Sequence, residues 1–365
     1  MDTFINDDGI VVIQYKRKPR YFLALGLFIL NLISTMFAGV LWAGHNPFEL
    51  TQWHHGITYA LLLSLFLSAH ELGHYFAARY HKIDTSLPYC LPFPIPGLSP
   101  FGTFGAFIKT RDIIPSRKVL FDIGVAGPLA GFIVCLGILI IGFLTLPPVE
   151  YLYSVHPDYL LNGGHITTHG MFFGDTLLFS IMKAIFVAPN TFFPPMNEIY
   201  HYPFLCVGWF GLFVTALNML PIGQLDGGHV IYAMFGEKQV RIGKIFWWIL
   251  LFIGLGGVAA FVRTFIQEPS PDALYTFLQT GLLSFFSWLD SFAPWYLYCW
   301  NGWLLWVFIA RFVMKIKHPP VRDTTPIGTP RMIIGYIALL IFILSFSYNG
   351  IYFISPNGLP GALGF

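Results

Sequence analysis

The chain has 365 residues, 56% of them hydrophobic and only 10% charged, against roughly a quarter charged in ordinary soluble domains. So few charges cannot clothe a soluble globule of this size, and the same composition excludes intrinsic disorder. The formal net charge of +2 is spread thinly along the chain and implies no nucleic-acid partner. This is the composition of an integral, multi-pass protein of the lipid bilayer.

Residues 1–20 are polar and end in Lys16, Arg17, Lys18 and Arg20. They read as a cytoplasmic tail and not as a cleavable signal peptide, because the apolar run that follows is too long for a signal h-region. A membrane span needs about 20 apolar residues. Runs at 21–42, 56–80, 119–146, 203–220, 245–265, 295–314 and 332–354 qualify, so the expected fold class is all-α with about seven transmembrane helices. Two further stretches, 171–187 and 273–289, are ambiguous. The first contains Asp175 and Lys183 and reads as an interfacial helix. With seven spans, the Lys and Arg at 16–20, 79–118, 238–244 and 311–331 all fall on the cytoplasmic side, and only Lys183 and Arg263 lie outside. The expected setting is a cell (inner) membrane with the N-terminus in the cytoplasm. Residues 147–202 form the longest break and read as an irregular external region. The four cysteines, Cys90, Cys135, Cys206 and Cys299, have no framework spacing and read as small hydrophobes.

The chemistry begins inside the second run, with HELGH at 70–74. On a helix His70 and His74 share a face and can grip one ion, while Glu71 stands a step round to address a water molecule. HExxH alone is a weak signal. Two His and a Glu in an apolar span are nevertheless costly unless paired or liganded, so a functional site is the default reading. Catalytic zinc takes three protein ligands and keeps an open position. The end of the fourth run, NMLPIGQLDGGH at 218–229, offers the third ligand in Asp226. Pro221 and the glycines break the helix there, and broken backbone at membrane depth survives only when buried in protein or lining a wet cavity. The bland alternative is that Asp226 caps the next helix. Depth favours the ligand: His74 lies roughly 7–8 Å inside the cytoplasmic end at about 1.5 Å per residue, and Asp226, reached from outside through the fourth run, falls at similar depth.

HELGH followed by NMLPIGQLDG resembles the site-2 protease family of intramembrane zinc metalloproteases, whose pattern is HExxH plus NxxPxxxLDG. FDIGVAGPLAGF at 121–132 resembles the family too, and the resemblance runs from about 54 to 235. It implies one zinc ion held by His70, His74 and Asp226, with Glu71 as general base and Asn218 near the substrate carbonyl. It also implies hydrolysis of a peptide bond within or near a transmembrane segment of a membrane-protein substrate. The expected organisation is a tail at 1–20, an accessory first span at 21–53, a metalloprotease core at 54–235 and accessory spans at 236–365. No stretch is long enough for a PDZ or CBS domain.

The segment after HELGH, Gly102, Thr103, Phe104, Gly105 and Ala106 and on to Ile108, reads as a short hairpin dipping into the membrane. It is either an edge to which an unwound substrate adds as a strand or a structural turn. Gly127 and Gly131 read as a close helix–helix contact, and Asp122 as a helix-dipole charge. His54, His55, His165 and His169 read as surface histidines, His229 as a residue near Asp226 that could support the metal. Aromatic stretches such as 288–306 read as interfacial belts. The competing function is a transporter or channel using the same His, Glu and Asp for metal or proton passage. An inactive substrate-binding relative is a third reading, which the intact Glu71 opposes.

Overall fold

In the computed structural model, residues 2–5, 11–14, 20–93, 101–267, 273–356, 358 and 360–361 are described. The basic residues Lys16, Arg17 and Lys18 and much of the proline-rich stretch at 88–100 lie outside them. The chain opens with a small antiparallel pair, β1 (Asp2–Ile5) and β2 (Val11–Gln14), and continues into α1 (Tyr21–Trp42) and α2 (Ile57–Tyr80). The hairpin strands β3 (Tyr89–Pro92) and β4 (Thr103–Phe107) precede α3 (Arg117–Leu144). The connection after α3 holds α4 (Val149–Val155), α5 (Pro157–Leu161), β5 (Gly170–Phe173) and α6 (Leu177–Phe186). Next come α7 (Pro203–Asn218), α8 (Asp226–Phe235), α9 (Lys238–Ile266), α10 (Ala273–Phe292), α11 (Trp303–Phe308) and α12 (Thr329–Ser345). Strands β6 (Ile351–Ile354) and β7 (Pro360–Gly361) extend β5 into a three-stranded sheet.

The protein is mostly helical, as expected, and among the described residues four helices are long and apolar enough to cross a membrane: α1, Leu50–Tyr80 (which contains α2), α3 and α9. The other three runs give shorter helices. α7 has 16 residues and α12 has 17, while the run at 295–314 divides into a 3-10 turn, α11 and a π-helical turn at Ile309–Val313. The last run also stops early, because the chain leaves α12 after Ser345 and Ile351–Ile354 pair with β5. The seven-span count therefore rests on the sequence alone. The stretch 171–187 begins in β5 and ends in a ten-residue helix, about 15 Å long at 1.5 Å per residue and too short to span.

Phe22, Phe76, Trp248 and Phe277 are 92%, 63%, 63% and 76% exposed on α1, α2, α9 and α10. Rings this bare, repeated along so many helices, suit lipid and not water as the surrounding solvent. Lipid is as apolar as leucine, so helix association depends on close packing and polar contacts. α7 sits at the centre, buried on nearly every side from Leu205 to Leu217 against α2, α3 and α12. Trp209 fixes its height by donating from Nε1 to the Gly174 carbonyl at 2.6 Å.

Charges that looked isolated are partnered. Arg263, on the external side by the charge rule, grips Asp290 of α10 at 2.6 and 2.9 Å. Lys183 lies over the Phe193 ring, 4.5 Å from its centroid, a cation–π contact. Asp122 does more than face a helix dipole: it accepts a fork from Arg331 of α12 at 2.7 and 2.8 Å and meets His81 at 2.8 Å. That carboxylate ties α3 to α12 and to the end of α2. All four cysteines are free and buried.

Candidate metal centre

α2 presents His70 and His74 one turn apart, both buried, against α3 and the break after α7. α7 ends at Asn218, and Met219 and Leu220 lead directly to Pro221, whose ring disfavours helix in the residue before it. Gly223 then turns with φ of +56°, a conformation that suits glycine. Asp226 is the first residue of α8, and the N-cap residue Leu225 offers no side-chain cap. The Asp226 carboxylate is turned to the histidines instead.

The three candidate ligand atoms form a nearly equilateral triangle. His70 Nε2 and His74 Nε2 are 3.2 Å apart, and Asp226 Oδ2 lies 3.3 Å from the first and 3.2 Å from the second. A tetrahedral ion with bonds of about 2.0–2.1 Å separates its ligands by about 3.3–3.4 Å. The tautomer agrees as well. His74 Nδ1–H donates to the Ile123 carbonyl at 2.7 Å, which leaves the Nε2 lone pair pointing into the triangle. Lone pairs facing a carboxylate in a buried space need a cation between them. These residues fit a zinc ion. The remaining ring nitrogen, His70 Nδ1, is buried without a hydrogen-bond partner.

The other expected residues gather round this triangle. Glu71 is buried beside His74 and Asp226, with the Ile108 backbone N–H in reach of its carboxylate. Asn218 Nδ2 is 3.4 Å from His70 Nε2. Gly127 of α3 faces the His74 ring so closely that an added Cβ would collide with Nε2, and one at Gly73 would meet the Ala126 carbonyl at 2.5 Å. The glycines thus permit the close α2–α3 approach read from the sequence and also keep the ligand face clear.

The hairpin is present, with Tyr89 opposite Phe107, Cys90 opposite Ala106 and Pro92 opposite Thr103. Its five candidate substrate residues divide into two groups. Gly102 (φ +72°) packs on α1, where an added Cβ would meet the Ser34 carbonyl at 2.6 Å, and its own carbonyl accepts from Ser34 Oγ at 2.6 Å. Thr103 is buried and donates from Oγ1 to Asn31 Oδ1 at 2.6 Å. Phe104 is 68% exposed, Gly105 and Ala106 partly so, and β4 has no second strand partner among the described residues. Sequence reading missed Asn31 and Ser34, which make the first span a brace for the hairpin. Their signal was present: Asn31, Ser34 and Thr35 are polar residues on one face of an otherwise apolar run.

His229 does not turn to the triangle. It meets His318 at 2.7 Å, and His318 is stacked on Tyr232. His54 and His55 cluster with His45, and none of the three, nor His165 or His169, belongs to a metal-compatible group among the described residues. A second such group does exist, His156 with Glu198 and His201, and the sequence reading did not single it out.

The model of peptidase family M50 matches residues 58–257, more than half of the chain. The chain belongs to peptidase family M50. This is the site-2 protease family that the two motifs pointed to. Among relatives, this M50 chain is 34% identical over 192 residues to the probable zinc metalloprotease EGY1, chloroplastic, of Oryza sativa subsp. japonica, covering 52% of the chain and 30% of that protein. It is 31% identical over 212 residues to the probable zinc metalloprotease EGY2, chloroplastic, of Oryza sativa subsp. indica, covering 56% and 33%. The Arabidopsis thaliana EGY1 protein, also named a probable chloroplastic zinc metalloprotease, is 29% identical over 280 residues, covering 76% and 40%. The M50 chain thus spans well under half the length of these relatives. Their names give the expected cell membrane no support. No solved structure matches.

Proposed function

We propose that this M50 member is an intramembrane zinc metalloprotease that hydrolyses a peptide bond within or near a transmembrane segment of a membrane-protein substrate. The carrying observation is the His70, His74 and Asp226 triangle, sized for zinc, with the buried Glu71 beside it. When bound there, zinc would supply Lewis acidity toward a peptide carbonyl and acidify water. Glu71 takes the proton of the attacking water and returns it to the departing amine. Asn218, close to His70, donates to the substrate carbonyl. The core at 54–235 carries these groups, while 21–53 and 236–365 are accessory in sequence, with α1 bracing the hairpin.

A transmembrane helix hides its peptide bonds, so the substrate must unwind before attack. Bare N–H and C=O groups in lipid cost several kcal/mol each. The outer edge of β4 at Phe104, Gly105 and Ala106 supplies partners for them by strand addition. Gly102 and Thr103 hold that edge in place. The family match and the relatives' names favour peptide hydrolysis over ion passage through the same groups. The test is cleavage of a single-span substrate in proteoliposomes. A zinc chelator should stop it, and restored zinc should return it. Cleavage that persists in metal-free protein would overturn the reading.

A further inference from the structure

The opposite end of α7 carries the second histidine–carboxylate group. His156 follows α4, and Glu198 and His201 sit at the 3-10 turn that leads into α7. His156 Nε2 and His201 Nε2 are 2.9 Å apart, and Glu198 Oε2 is 3.6 Å from the first and 3.5 Å from the second. A triangle with these edges has a point about 2 Å from all three atoms, the bond length of zinc to nitrogen and oxygen ligands. The chain ends assembled here are the C-terminus of α1, the segment beyond α3 and the N-terminus of α7. Asn218 is at the far end of that 16-residue helix, about 24 Å away at 1.5 Å per residue. This group is therefore separate from the one on α2.

The orientation of each ligand is already set. His201 Nδ1–H donates to the Trp42 carbonyl at 2.7 Å, which leaves its Nε2 as the free lone pair. The Asp158 carboxylate lies 4.0 Å from His156 Nδ1 on that ring's outer side. Glu198 is 1% exposed, and its Oε1 accepts from Tyr159 at 2.6 Å and from Asn197 at 3.4 Å. Its other oxygen, Oε2, is buried with no hydrogen-bond partner and faces both imidazoles. A single N–H···N bond would satisfy the histidine pair without any ion, but it would leave Oε2 bare, which is costly for a buried carboxylate. A cation satisfies all three.

We propose that His156, Glu198 and His201 bind a second divalent transition-metal ion, zinc by ligand type, as a structural site on the external face. Two imidazoles and a carboxylate suit zinc, and the partly exposed side at His156 leaves room for water as the fourth ligand. The ion clips the 147–202 connection to α7 and, through the Trp42 carbonyl, to the end of α1. The further carboxylate near this group, Asp158, lies 4.0 Å from His156 Nδ1, the ring nitrogen turned away from the triangle, so this site holds structure and does no hydrolysis.

The test is zinc content of the untagged full chain, purified in detergent and equilibrated with trace zinc. The expected content is two ions per chain in the parent, and one in either His156→Ala or Asp226→Ala. Cobalt added to Asp226→Ala should give visible ligand-field bands that vanish when His156→Ala is combined with it. One ion per chain in the parent, or an unchanged count in His156→Ala, overturns the proposal. Should His156→Ala fail to yield folded protein, Glu198→Gln keeps the shape and one hydrogen bond while removing the anionic ligand, and the same loss of one ion is expected. The external ion does not depend on proteolysis, so failure here leaves the peptidase reading untouched.

Discussion

The two histidine–carboxylate groups at the ends of α7 use the same ligand types and differ in what surrounds them. On α2 the triangle has Glu71 on the same helix, Asn218 at the helix break and the open edge of β4 close by. In the second group Glu198 Oε1 is held by Tyr159, and the imidazoles are flanked by the Trp42 carbonyl and the Asp158 carboxylate. On the proposed reading, one site has a base in Glu71 and a route for a peptide along β4, while the other has only supports. Ligands of one kind would then serve hydrolysis or bracing according to their neighbours.

The sharpest way to break that contrast is Asp226→Ala. Cleavage should fall to background, more than about a thousandfold if zinc is lost, while the zinc attributed to the external site stays. Loss of both ions in folded protein would show that the two groups are not independent. A smaller effect is expected from Gly127→Val, which drives carbon into the His74 ring. Overpacking of this kind costs about 1–3 kcal/mol, and the check is zinc affinity by competition with a chelator, expected to weaken tenfold or more. Unchanged affinity would mean that α3 gives way without moving the ligand.

Milder still is loosening of the hairpin. Asn31→Ala removes the buried hydrogen bond from Thr103, worth about 1 kcal/mol, and Thr103→Val removes that bond together with the one Thr103 Oγ1 accepts from the Gly105 N–H. Cleavage should drop several-fold with zinc content unchanged, and the double variant should be no worse than Thr103→Val alone. Simple additivity would remove the Asn31–Thr103 link from the explanation. The smallest effect is expected at the exposed edge. Phe104→Ala should raise KM for a helical membrane substrate about two- to fivefold, with kcat nearly constant, on the loss of one exposed apolar contact. Equal KM values would return the edge to a purely structural turn.

The α2 group was legible because helical spacing fixes it: His70 and His74 share a face by arithmetic, and the Pro221 break places Asp226 at their depth. The external group was not, because its ligands come from an irregular connection in which His156 and Glu198 lie 42 residues apart. Only Glu198 and His201, three apart, hinted at it. Hydropathy likewise marked the long helices but overstated the last run, whose residues Ile351 to Ile354 are apolar enough to continue a helix and pair as a strand instead. Apolar β-branched residues serve either element, so a tertiary partner decided. The brace from α1 was hidden for a related reason, since Asn31 and Ser34 acquire meaning only beside the hairpin they hold.

The most direct measurement pairs activity with metal content in one variant. Glu71→Gln keeps the size of the side chain and removes the group that takes the proton. In proteoliposomes with a single-span substrate, the variant should carry as much zinc as the parent and cleave at least about a hundredfold more slowly, the range for loss of a general base. Cleavage at the parental rate by fully metallated Glu71→Gln protein would contradict the mechanism.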